Sequence, residues 1–135
     1  MILVDTSAWV ELDRATGSAV DLALADLIAT DGPIAVTEPI VMEVCAGART
    51  DARERDLRRL LARCHLARVD AAADFNGAVT IDRTCRRAGI TPRGLIDCVI
   101  AAVALRGAHE VLVRDGDLVG VARIMELRLH PASPR

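Results

Sequence analysis

Lysine is absent: all seventeen basic residues of this 135-residue chain are arginine. That removes the P-loop lysine, Schiff-base chemistry and the Ser-x-x-Lys nucleophile pair. It also argues against haloacid-dehalogenase-like phosphatases and response-regulator receiver domains, which begin with a strand ending in Asp but set a lysine beside it. Aromatic residues are nearly missing, with one Trp, one Phe and no Tyr. A nucleic-acid partner could therefore not be held mainly by base stacking, and contact would fall to arginine and the phosphate backbone. The four cysteines, Cys45, Cys64, Cys85 and Cys98, form no C-x-x-C and no cluster with His. A structural zinc site is thus not expected, and the thiols read as reduced, buried small hydrophobes. No apolar run reaches the roughly 18 residues of a membrane span. The N-terminus lacks the basic and apolar regions of a signal peptide. The expectation is a soluble cytoplasmic protein with no membrane association.

What is present is a globular composition, 52% hydrophobic and 27% charged, with a mean hydropathy of +0.29. The length predicts a single domain over residues 1–135. The net charge of −2 looks wrong for a nucleic-acid partner. A carboxylate cluster around metal ions would lower that sum while arginines nearby still attract phosphate.

The first seven residues, Met1-Ile2-Leu3-Val4-Asp5-Thr6-Ser7, read as a buried strand ending on an acid. Helical spacing then predicts a short helix over Ala8–Leu12 and another over Ala19–Ala29. Ile34–Val36 reads as a second strand. Thr37 caps a helix running to Ala46, where Gly47 ends it. A charged helix over Ala52–Cys64 precedes a third strand, His65–Val69. Asp70 caps a helix over Ala71–Ala88, and the loop at Gly89–Gly94 leads into a helix over Leu95–Leu105. Glu110–Val113 is the fourth strand, followed by a helix over Leu118–Arg123. Glu126–Leu129 is read as a fifth, edge strand, and residues 130–135 as a loose tail. Alternating strands and helices predict an α/β fold with a central parallel sheet of four to five short strands. Trp9 and Phe75 read as core or interface anchors rather than RNA contacts. His65, His109 and His130 have no partner at ligand spacing.

In such a sheet the functional crevice lies outside the carboxyl ends of the strands. Asp5 ends strand one and Asp115 follows strand four. Asp97 opens the helix that runs back antiparallel to strand four, and Glu43 lies in the first two turns after strand two. Asp117 is two residues beyond Asp115. Each has a structural explanation: Asp5 and Asp117 as helix caps, Asp97 as an acid favouring its helix dipole, Glu43 as a surface residue. Together they would repel one another unless a cation neutralised them. Oxygen-only donors suit Mg²⁺ or Mn²⁺, which activate water and steady charge on a phosphoryl oxygen.

Four motifs in order carry a resemblance over essentially the whole chain: Asp5-Thr6-Ser7; Glu43 within Glu38-Pro39-Ile40-Val41-Met42-Glu43-Val44; Leu95-Ile96-Asp97-Cys98-Val99-Ile100-Ala101-Ala102; and Arg114-Asp115-Gly116-Asp117-Leu118. The chain resembles PIN domains, and within them the VapC-type toxins of VapBC toxin–antitoxin pairs. The resemblance implies an Mg²⁺-dependent endoribonuclease, with Mn²⁺ able to substitute, that cuts tRNA or rRNA. It further implies a homodimer silenced by a cognate VapB-type antitoxin. Asp5, Glu43, Asp97 and Asp115 match the four core acids, and Asp117 a fifth, less uniform one. Thr6 or Ser7 matches a polar position that helps arrange the site. Arg114, in place of a small polar residue, and Leu118, in place of Phe, are departures. Arg86, Arg87, Arg93 and Arg114 are candidates for positioning RNA phosphates, or else lie on solvated faces in salt bridges. The alternatives are a structure-specific DNA nuclease and a non-catalytic module that binds RNA or a partner. A phosphatase is disfavoured by the missing lysine.

Overall fold

The computed structural model describes residues Met1–Arg135. The chain runs β1 (Ile2–Val4), α1 (Thr6–Asp13), α2 (Ala19–Ala29), β2 (Ile34–Val36), α3 (Glu38–Ala46), α4 (Asp51–Ala62), β3 (His65–Leu66), α5 (Ala71–Arg87), α6 (Leu95–Arg106), β4 (Glu110–Leu112) and α7 (Gly116–Met125). The strands form one sheet in the order β3-β2-β1-β4. Every pairing is parallel, with Ile2 opposite both Ile34 and Glu110, and Ala35 opposite His65. A parallel sheet covered on both faces needs apolar strands. Leu3, Val4, Ala35, Val36, Val111 and Leu112 are accordingly buried. Because all strands point the same way, Asp5, Thr37 and Arg114 emerge at one edge.

Helix α6 is buried from Cys98 to Ala104. A helix apolar all round belongs inside, and its alanines let α5 approach closely. A Cβ at Gly77 of α5 would stand 3.2 Å from the Ala102 Cβ, which accounts for glycine in a helix interior despite its cost of roughly 0.5–1 kcal/mol. The N-terminus of α5 is tied to the C-terminus of α6. Arg106 Nε and Nη2 donate to Asp74 Oδ1 and Oδ2 at 2.9 and 2.8 Å, and Nη2 also reaches the Arg68 carbonyl at 2.8 Å. Trp9 sits in the core, its Nε1–H donating to the Val4 carbonyl at 3.1 Å. No helix is long and apolar enough to cross a membrane.

Several boundaries differ from the sequence expectation. Helix α1 begins at Thr6 rather than Ala8, and α7 at Gly116 rather than Leu118, because Asp5 and Asp115 cap them directly. Thr37 occupies the cap position of α3 without a capping side-chain bond; its hydroxyl donates to Glu38 Oε1 at 3.3 Å instead. Strand β3 shortens to two residues. The fifth strand is only an isolated bridge between Val111 and Leu129. Residues 130–135 are not a loose tail. The Ser133 hydroxyl, buried, accepts from the Val113 N–H at 3.0 Å and donates to the Val111 carbonyl at 3.3 Å, so the segment covers the open side of β4. Phe75 is not core: it is 56% exposed.

Candidate active site

The site is built at the corner where β1 turns into α1. Asp5 is 4% exposed and has the extended backbone of an N-cap. The Ser7 backbone N–H and hydroxyl both donate to Asp5 Oδ2, at 3.0 and 2.6 Å. The Ser7 oxygen also accepts from the backbone N–H groups of Arg114 and Asp115, at 2.9 and 3.2 Å. One donor and two lone pairs are the whole capacity of a hydroxyl. Ser7 therefore locks the end of β1 to the loop after β4. Thr6 makes the second link, its hydroxyl donating to Glu43 Oε1 on α3 at 2.8 Å. Asp115 caps α7 with Oδ1, which accepts from the Asp117 N–H at 3.2 Å. The capping and the cleft-lining roles of Asp5 and Asp115 are compatible, since their capping bonds fall on one carboxylate oxygen each.

Asp5, Glu43, Asp97 and Asp115 line one cleft of about 560 Å³, together with Thr6, Ser7 and Arg114. Burial, followed by the charges of Asp5, Asp117, Asp115 and Glu43, pushes the Asp97 carboxyl up to about 7. Asp5 is also raised, first by its burial and, less strongly, by Glu43, against the hydrogen bonds from Ser7. The acids are thus close enough to oppose one another's ionisation.

Asp117 does not line the cleft. It lies in the first turn of α7, near enough to raise Asp97, and the cap of that helix is Asp115. Arg114 lines the cleft while its Nε contacts Glu11 Oε1 at 3.1 Å. Arg86, Arg87 and Arg93 do not line it. Arg86 pairs with Asp82 at 3.0 Å, and Arg87 donates to the Thr84 hydroxyl at 3.3 Å. The sequence reading missed Glu11 on α1 and Arg14 at its C-cap, which also line the cleft. Their signal was the spacing Ser7, Val10, Glu11, Arg14, one helical face continuing from the Asp-Thr-Ser corner.

No His or Cys lines the cleft, so its charged donors are all oxygen. No group of three or more His, Cys, Asp or Glu side chains is arranged to hold an ion directly. Asp5, Glu43, Asp97 and Asp115 on one cleft, with Asp97 raised by burial and by its neighbours' charges and Arg114 turned to Glu11, do fit a hard cation. Mg²⁺ in particular retains several of its waters and needs only one or two direct carboxylates.

The PIN domain family model matches residues 2–124. Two mycobacterial proteins, VapC ribonuclease Mb1587 of Mycobacterium bovis and ribonuclease VapC11 of Mycobacterium tuberculosis, are each 44% identical over 129 residues. That span is 95% of this chain and 96% of theirs. Among solved structures, VapBC2 from Rickettsia felis, bound to a DNA fragment from its promoter, superposes with a TM-score of 0.74. Its identity is 16%, and all of both chains is covered, a likeness of fold. With a family match over nearly the whole sequence and VapC relatives at this identity, the chain belongs to the PIN domain family and to its VapC branch.

Proposed function

We propose that this protein is a metal-dependent endoribonuclease, the toxin of a type II toxin–antitoxin pair, which cuts structured tRNA or rRNA in the cytoplasm and so halts translation. The observation that carries this reading is the gathering of Asp5, Glu43, Asp97 and Asp115 on one cleft, with Asp97 pushed up to about 7. The relatives named as ribonucleases support the RNA substrate. Asp5, Asp97 and Asp115 are the residues that would hold Mg²⁺ or Mn²⁺, with Asp117 adding negative charge from the first turn of α7. When bound, the ion supplies activated water and positive charge beside the phosphoryl oxygens. Ser7 fixes the Asp5 carboxylate against the loop after β4, and Thr6 fixes Glu43, so that both acids face the phosphodiester in a set orientation. The antitoxin is of VapB type. The protein is a homodimer, for which exposed Phe75 and Val79, one turn apart on α5, offer an apolar contact.

Purified protein with Mg²⁺ is tested on total RNA and on flap and single-stranded DNA. The expected result is RNA cleavage that leaves 5′-phosphate and 3′-hydroxyl ends and is abolished in a folded Asp97→Asn variant. A 2′,3′-cyclic phosphate product would make the 2′-hydroxyl the nucleophile and overturn the hydrolytic mechanism. Cleavage of DNA alone would replace the substrate. Full cleavage by the Asp97→Asn variant would remove the acid cluster from the chemistry.

A further inference from the structure

Arg14, the C-cap residue of α1, lines the acid cleft and also a second hollow of about 380 Å³, whose other walls are Asp13, Arg49 and Arg53. The two hollows thus share a wall, and arginines run along both: Arg114, then Arg14, then Arg49 and Arg53. Two of these charges are answered within the protein. Arg114 meets Glu11 at 3.1 Å, and Arg53 Nε donates to Asp13 Oδ1 at 2.7 Å. The protein's ion pairs engage Arg53, Arg58, Arg59, Arg86, Arg106 and Arg114, and leave Arg14 and Arg49 without an acidic partner. Both are exposed. Two uncompensated guanidinium groups on a path leading out of a carboxylate cleft suit a polyanion whose reacting group enters that cleft.

We infer that the α1–α4 side of the cleft, through Arg14 and Arg49, is the track along which the RNA backbone leaves the site. No apolar or aromatic residue lines the second hollow. The track therefore grips phosphate and not bases, and it positions the strand without reading sequence. It lies apart from the arginines of the α5–α6 side, since Arg86, Arg87 and Arg93 line neither hollow. The inference rests on the ribonuclease reading of the acid cleft. Arg14 and Arg49 act as positioning residues for that reaction.

The test measures binding of a labelled single-stranded RNA oligonucleotide in EDTA across a NaCl series, alongside cleavage of total tRNA and rRNA with Mg²⁺. Wild type is compared with the Arg14→Ala/Arg49→Ala double variant, with Arg59→Ala as a control and with Asp97→Asn. Each lost phosphate contact should flatten the plot of log affinity against log salt by about 0.7, so the double variant should lose roughly sevenfold less affinity than wild type between about 50 and 200 mM NaCl. Its KM should rise with kcat retained, while Arg59→Ala behaves as wild type. Asp97→Asn should keep the wild-type slope and lose cleavage. Wild-type binding with an unchanged slope in the double variant would overturn the track and leave the ribonuclease reading intact. Neither binding nor cleavage by the wild type would overturn both. A slope lost for a polyglutamate probe but kept for RNA would assign the two arginines to a protein partner and overturn the RNA path.

Discussion

The Ser7 hydroxyl joins three groups at once, one on its own corner and two on the loop after β4. Replacing it with Ala would leave the N–H groups of Arg114 and Asp115 without an acceptor and take a donor from Asp5. The N–H groups of Arg114 and Asp115 lie at an exposed edge where water can take the hydroxyl's place, so the expected loss is about 1 kcal/mol, visible as a lower Tm. Cleavage should fall roughly 10–100-fold, the usual consequence of releasing a ligand-orienting group. Wild-type activity in a folded Ser7→Ala protein would show that the β1 and β4 loops hold their positions unaided. Asp97 gives a pH prediction. It ionises at about 7 in the fold against 3.8 unperturbed. Between those values the folded state holds the extra proton, so in EDTA stability should fall as pH rises, by on the order of 2 kcal/mol once screening by water in the open cleft is allowed for. Asp97→Asn should flatten this slope, and millimolar Mg²⁺ should raise the wild-type Tm more than the variant's. Identical pH slopes in EDTA would place Asp97 outside the repelling cluster. At this scale the four cleft acids were legible, because each stands next to a recognisable strand end or helix start. Glu11 and Arg14 were not singled out, because α1 is short and its cleft-facing side reads like any solvated helix face. Arg86, Arg87 and Arg93 lie outside the cleft, because closeness in sequence to Asp97 is not closeness across a helix surface.

Among the elements, α5 and α6 are joined most tightly, and their clamp is open to a direct test. The Arg106 guanidinium, hydrogen-bonded to the buried Asp74, holds its carboxyl below the usual range. The stability this contributes is present above about 3.8 and is lost as pH falls through the lower folded value. Asp74→Ala should cost about 2–3 kcal/mol in urea unfolding, less than a fully buried pair because the Arg106 side chain is 44% exposed. The variant should also lose part of the acid sensitivity of the wild type. A wild-type acid transition would mean the clamp is already open at neutral pH. Helix existence was readable throughout from apolar spacing and caps. The shortened β3 and the missing fifth strand were not. Two or three apolar residues look alike whether or not a neighbouring strand continues to pair with them.

At the level of the whole molecule, the C-terminal segment closes the sheet. Ser133→Ala should cost about 1–2 kcal/mol by leaving the Val113 N–H without its partner. The loss can be followed by the fluorescence of Trp9, which has no other tryptophan or tyrosine to confuse it. An unchanged Tm would return this segment to the status of a tail. A Ser-Pro-Arg ending carries no periodicity, so nothing in the sequence announced its docking. The strand order also governs when the protein can act. Strand β1 is made well before its partner β4, and the Ser7–Asp115 link spans 108 positions. A nascent chain that has emerged only through α6 already carries Asp5, Glu43 and Asp97 but cannot yet close the cleft. The acid cleft therefore closes only once β4 has joined the sheet, and a chain broken before β4 lacks both Asp115 and the loop that Ser7 holds.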